Sequence, residues 1–175
     1  MHEETASNYF HKGNLLKQSG KFEEATTAYQ RCIELNPDFS WYHHNLGDVL
    51  ANLGQRDGAE KSYRRACEIN PNSAWSWHNL GEVLQQQGNL DEAVRAYRKA
   101  VEIYPDFYEF HNSLGQALCL QGQLDESVSC LQRGGEGVET LQRRLETVGP
   151  ERKVRQRISA RFVRDRSARR PGARV

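Results

Sequence analysis

Glycine recurs in this chain with a fixed step. Gly13, Gly47, Gly81 and Gly115 are each 34 residues apart, and seven residues after each stands another: Gly20, Gly54, Gly88 and Gly122. Ala25, Ala59 and Ala93 follow in the same register, with Ser127 as a departure. Tyr29, Tyr63 and Tyr97 come next, with Leu131 in the fourth copy. Pro37, Pro71 and Pro105 close the period, and Glu139 stands where a fourth proline was due. A self-similar period of this length means one supersecondary unit repeated, each copy burying its apolar face on the next. That excludes most single-core folds before any other feature is weighed.

Within one period the pattern is helical twice. Leu46, Val49, Leu50 and Leu53 have i, i+3, i+4, i+7 spacing, and Leu80, Val83 and Leu84 repeat it. Gly54 and Gly88 can take the left-handed conformation that stops the first helix. Leu90, Ala93, Val94, Tyr97, Ala100 and Val101 form the stripe of a second helix. The second helix ends before proline, which disfavours helical geometry in the residue preceding it. Gly47 and Gly81 lie inside first helices, at a cost of about 1 kcal/mol each relative to alanine. Close approach of the paired helix, with Ala59 and Ala93 suited to the same contact, is the expected reason. Two residues break the pattern in the second period. Arg56 replaces an apolar residue (compare Phe22, Leu90 and Leu124), and Gly58 sits just inside the second helix, which is therefore expected to be the least stable internal one.

Trp77, Leu80–Gly81, Leu84, Ala93, Tyr97, Ala100 and Pro105 resemble the signature of the tetratricopeptide repeat family. The resemblance covers repeats 6–39, 40–73 and 74–107 and a partial fourth, 108–133. It implies an all-α fold, a right-handed α–α superhelix (solenoid) of antiparallel helix pairs whose first helices line a concave groove. The domain expected from this spans residues 1–141.

Residues 142–175 differ in kind. Residues 1–141 hold 12 basic and 20 acidic residues, a balance of −8, whereas 142–175 hold 12 basic and 3 acidic, a balance of +9; the whole chain is +1. The reading of 142–175 is a basic, arginine-rich tail, largely disordered or with a short helix over Val154, Ile158 and Phe162. Leu141, Leu145 and Val148 are candidates to cap the solenoid. Nucleic acid or an anionic surface is a partner only through this tail; unrelated sequence following an interrupted repeat array is the other reading. The chain has no run of about 18 apolar residues and no apolar signal-peptide core, so no membrane span and a cytoplasmic location are expected. Cys32, Cys67, Cys119 and Cys130 contain no C-x-x-C pair, and small thiols in a reducing compartment are expected.

Catalytic motifs are missing from the sequence: no G-x-x-x-x-G-K-[ST] loop, no G-x-S-x-G elbow and no H-E-x-x-H. His44 and His78 share one repeat position, and His43 and His111 the preceding one, which reads as surface or groove-lining imidazole rather than a metal site. No enzyme activity, catalytic residue, metal, cofactor or small-molecule substrate is expected.

The expected function is a non-catalytic scaffold that binds a protein or an extended peptide. Trp41, Asn45, Asp48 and Asn52 form one stripe on a first helix, and Trp75, Asn79, Glu82 and Gln86 form the next. In the family this stripe lines the groove. Asn45 and Asn79 match the asparagine that, in long arrays of sugar transferases, bonds the main chain of an extended peptide, and an amide both donates and accepts as a peptide unit requires. Asp48 and Glu82 favour a basic peptide. A subclass of the family clamps the C-terminal carboxylates of chaperones with Lys and Arg. Asn14 and Asn45 match its asparagines, but Phe10, Trp75 and Asn79 occupy its basic positions, so chaperone-tail binding is not expected. The alternative function is that of a repeat-bearing fragment of a larger bacterial glycosyltransferase or sulfotransferase-type protein.

Overall fold

The structure, a computed structural model, describes residues 5–135. The tail expectations for 142–175, and the capping role for Leu141, Leu145 and Val148, lie outside the described residues. Among the described residues the only regular elements are eight α-helices: α1 (Ala6–Gln18), α2 (Phe22–Leu35), α3 (Ser40–Asn52), α4 (Arg56–Ile69), α5 (Ala74–Gln86), α6 (Leu90–Ile103), α7 (Tyr108–Leu120) and α8 (Leu124–Arg133). They form two compact units, one through Phe110 and one from His111.

In the first unit α1 packs on α2, α3 on α4 and α5 on α6, and successive pairs join through α2 on α3 and α4 on α5. The hairpin turns follow from the glycines. Gly54 has φ 72° and Gly88 φ 86°. With that conformation the Gln55 amide reaches the Leu50 carbonyl at 2.9 Å and the Gly54 amide reaches Ala51 at 3.0 Å, the two bonds of a Schellman ending. Asn89 to Leu84 and Gly88 to Gln85 repeat it at 2.9 and 3.0 Å. The second helices α2, α4 and α6 all end one residue before an X-Pro pair: Asn36–Pro37, Asn70–Pro71 and Tyr104–Pro105.

The intrahelical glycines answer to tyrosine. A Cβ placed on Gly47 would lie 2.7 Å from Cε1 of Tyr63, and one on Gly81 would lie 2.7 Å from Cδ1 of Tyr97. Gly13 stands in the same relation to Tyr29, at 2.8 Å. The close approach expected from sequence is present, but a ring of the second helix, rather than the alanine, occupies the space. Ala25, Ala59 and Ala93 are fully buried beside it. Tyr29, Tyr97, Leu80, Leu84 and Val49 are among the largest fully buried side chains, each contributing about 1.5–3 kcal/mol of burial free energy.

In the second unit Leu114, Ala117, Leu118, Val128 and Leu131 are buried. The helix-pair contact is conserved in form with a different partner, since a Cβ on Gly115 would meet Cγ of Leu131 at 2.5 Å. Ser127, which stands where the other repeats have alanine, buries its hydroxyl by donating to the Gly115 carbonyl at 2.6 Å. α8 has 10 residues where α2, α4 and α6 have 14.

All four cysteines are free. Cys32 and Cys67 are buried, and burial pushes the Cys32 thiol up to about 11 and the Cys67 thiol up to about 12. No helix among the described residues is long and apolar enough to cross a membrane.

Candidate functional site

Three first helices of the first unit share a face, and a chain of polar contacts runs along it. Asp48 of α3 is its hub. Lys17, near the end of α1, places Nζ 3.0 Å from Asp48 Oδ2 and donates to Asn45 Oδ1 at 2.7 Å. Tyr63 of α4 donates its hydroxyl to Asp48 Oδ1 at 2.8 Å, and Asn79 of α5 donates its amide to the same oxygen at 3.2 Å. Burial, then the charge of Asp48, raises the Tyr63 phenol well above its ordinary range, so this hydroxyl stays protonated as the donor. One carboxylate thus receives groups from three successive helix pairs.

The imidazoles are buried, which corrects the sequence expectation of surface or groove-lining histidines. His43, His44, His78 and His111 are all buried. His44 sits 3.0 Å from Ser76 Oγ through Nδ1 and 3.6 Å from Asp48 Oδ1 through Nε2, and its ring stacks on Trp41 with centroids 4.5 Å apart and planes within 1°. Burial lowers its pKa; Asp48 pulls the other way and Lys17 reinforces the lowering. His43 is held by the Pro37 carbonyl at 2.8 Å. For His44 the reason is geometric: the flat ring of Trp41 roofs the position three residues on.

The eight stripe residues therefore divide. Trp41 and Trp75 are each 41% exposed. Asn52, Glu82 and Gln86 are also exposed. Asn52 bonds the Asp48 carbonyl at 2.8 Å, and Gln86 accepts from Arg56 at 3.3 Å. Asn45 is 4% exposed, with its oxygen on Lys17 and its amide on the Trp41 carbonyl at 2.8 Å. Asn79 is half-buried between Asp48 and His78, whose Nδ1 lies 3.2 Å from Asn79 Oδ1. These bonds use one oxygen lone pair of each amide, and the burial of Asn45 leaves Asn79 the more accessible of the two. The charge of Asp48 is already balanced by Lys17, while Glu82 has no ion-pair partner among the described residues. Lys17 was missed in the sequence. Its counterparts 34, 68 and 102 residues on are Ala51, Gln85 and Cys119, so it follows no repeat, although its spacing of three from Asn14 places it on the right face.

The second helices present a different surface. Arg64 of α4 bridges Glu60 at 2.8 Å and Glu92 of α6 at 2.5 Å. A hollow of about 380 Å³ opens beside this bridge, floored by Trp77, Leu80 and Leu84 and edged by Arg95 and Lys99. Among the described residues no group of three or more His, Cys, Asp or Glu side chains is placed to hold a metal ion.

Paired helices of this length, a glycine–tyrosine contact in each of the first three pairs and one polar face of first helices define a helical repeat protein. Profiles described as tetratricopeptide repeat match residues 38–106 and 84–137, and one described as TPR repeat matches 13–54. The chain belongs to the tetratricopeptide repeat family. The fold is an all-α solenoid of that kind. Among solved structures it is similar to "Crystal structure of MamA", at 22% identity and TM-score 0.73, over 76% of this chain and 78% of that one. A MamA RS-1 double mutant gives TM-score 0.72 at 19% identity, over 76% and 75%. The first TPR of Spaghetti (RPAP3), solved with an HSP90 peptide, SRMEEVD, gives 0.63 at 22% identity, over 67% and 93%. No curated protein is matched by the sequence.

Proposed function

We propose that this chain is a non-catalytic scaffold that binds a protein segment in extended form across the face of α1, α3 and α5. The observation that carries the reading is the pair of tryptophans. Trp41 and Trp75 hold equivalent positions on α3 and α5, and each leaves 41% of its surface to solvent. Large rigid aromatics exposed in register are the residues that most often dominate binding energy. Glu82, Gln86 and Asn52 add polar contacts at the same face, and Asn45, Asp48 and Asn79 form the bonded framework beneath. Because Lys17 is spent on Asp48, the uncompensated charge of the face is that of Glu82, which favours a ligand carrying Lys or Arg.

Peptides selected from a random library on the full chain would be titrated calorimetrically against Trp41→Ala, Trp75→Ala and Glu82→Lys, with Arg95→Ala on α6 as the control. Each tryptophan variant is expected to weaken binding by about 2 kcal/mol or more. Arg95→Ala is expected to leave it unchanged. Equal affinity in the tryptophan variants, with circular dichroism showing them folded, would move the binding surface elsewhere.

A further inference from the structure

We propose that the first-helix face is covered by the chain's own arginine-rich segment, residues 142–175, which an outside ligand must displace; the inference rests on this face being the binding surface. The charges of the chain are sorted by helix. α3, α5 and α7 contain no Lys or Arg, and each carries one carboxylate: Asp48, Glu82 and Glu109. The cations of the second and third repeats lie instead on second helices, Arg56, Lys61, Arg64 and Arg65 on α4 and Arg95, Arg98 and Lys99 on α6. α1 adds Lys12 and Lys17. Lys17 is paired with Asp48, and Lys12 stands at the repeat position of Leu46 and Leu80, off the stripe of Trp41 and Trp75.

Glu109 extends that stripe. It stands 34 residues after Trp75 and 68 after Trp41, so in the fourth period a carboxylate takes the place of the indole. Phe107 and Phe110, on either side of it in the chain, both pack on Trp75, with centroids 5.2 and 5.1 Å away. Glu82 and Glu109 are exposed, and neither has an ion-pair partner among the described residues. Exposed indoles accompanied by uncompensated carboxylates suit guanidinium groups, which stack on aromatic rings and bond carboxylates through a two-pronged fork.

Residues 142–175 supply that chemistry. They hold 11 Arg and 1 Lys against 3 acidic residues, a balance of +9, whereas residues 1–141 hold 7 Arg and 5 Lys and stand at −8. Reach does not limit the contact. Forty residues follow Gly135, and they can extend to at most about 130 Å, roughly six times the length of a 13-residue helix. Linkage makes the binding intramolecular, at an effective concentration on the order of millimolar when the connection spans the sites. A separate basic peptide making the same contacts has to compete with that.

The test compares the full chain with a full-length variant in which the nine Lys and Arg residues from 152 to 170 are glutamine, lowering the balance of 142–175 from +9 to 0. The probe is a synthetic peptide of residues 150–172, titrated calorimetrically at low salt. The variant is expected to bind it saturably, and the unaltered chain at least tenfold more weakly because its own segment holds the face. Within the variant, Trp75→Ala, Glu82→Gln and Glu109→Gln should each weaken the peptide by threefold or more. Acrylamide quenching of tryptophan fluorescence should be about twofold stronger in the variant than in the unaltered chain, and the difference should vanish in about 1 M salt, where the screening length is about 3 Å. Circular dichroism checks that every protein is folded. Equal peptide affinity and equal quenching in the two proteins overturn the inference. So does peptide binding that ignores Trp75, Glu82 and Glu109, which puts the segment on another surface, or protection from quenching that is lost on dilution, which assigns the face to the segment of a second copy. If library-selected peptides depend on both tryptophans yet bind the two proteins equally, the face stands and its self-occupation falls. If selected peptides ignore both tryptophans, the face itself is wrong.

Discussion

Gly47→Ala and Gly58→Ala make a matched pair, because both residues lie inside helices of the second repeat and only one has a ring over it. Replacing an intrahelical glycine gains about 1 kcal/mol from backbone propensity in either case. At Gly47 the new methyl would lie 2.7, 2.8 and 2.9 Å from three ring atoms of Tyr63, about 0.8 Å short of ordinary carbon contact. Tyr63 is 2% exposed and its hydroxyl is tied to Asp48 at 2.8 Å, so a shift of that size overpacks the core and lengthens this bond past its useful range. Overpacking costs about 1–3 kcal/mol, and a hydrogen bond to a charged group is worth about 1.5–3 kcal/mol. After the propensity gain, Gly47→Ala is expected to lose about 1.5–5 kcal/mol. At Gly58 the methyl would meet one flexible group, Cδ1 of Leu50, at 3.2 Å, with the next atom at 3.8 Å. Leu50 can give a few tenths of an ångström, and Gly58→Ala is expected to be neutral or stabilising by up to about 1 kcal/mol. Urea titrations monitored by circular dichroism, with the slope held common, measure both. The reasoning fails if the two variants are equally stable, or if Gly58→Ala is the more damaging.

Asp48→Ala should cost about 2–3 kcal/mol, chiefly by stranding the Tyr63 hydroxyl, whereas Asp48→Asn keeps an acceptor and should cost less than half as much; parity of the two in urea unfolding would show that Asp48 does not hold the network together. His44 makes stability depend on pH. Its folded pKa lies below the ordinary 6.5, so below that value the unfolded chain binds the extra proton. The contribution is fully present above pH 6.5 and is lost as pH falls, so stability measured at pH 7.5 should exceed that at pH 5.5, and His44→Phe should reduce the difference.

The helices were readable from the chain because their determinants are local. A glycine at position 54 can end α3 whatever surrounds it, and Pro71 limits α4 in the same way. The face was readable too, since Trp41, Asp48 and Asn52 follow helical spacing. What those side chains do on the face was not. Asn45 is occupied because Lys17 reaches it from 28 residues earlier, and Lys17 obeys no period. The burial of His44 likewise depends on Ser76, from the next repeat, and on the ring of Trp41 lying over it. Periodicity reports what every copy needs in order to stack; contacts made once, between copies, leave no periodic trace.

The shared carboxylate of Asp48 also bears on how the array comes apart. In a one-dimensional repeat protein each unit is held by its own stability and by its contacts with nearest neighbours, and end units can fray independently. Here Lys17, Asp48 and Asn79 come from the first, second and third helix pairs and meet at a single group. Loss of the first pair removes the counter-charge of a carboxylate whose side chain is only 22% exposed, and that destabilises the second pair and its contact with the third. Fraying from the N-terminal end is therefore penalised beyond its own interface, and the three pairs are expected to unfold more cooperatively than their nearest-neighbour interfaces alone would give.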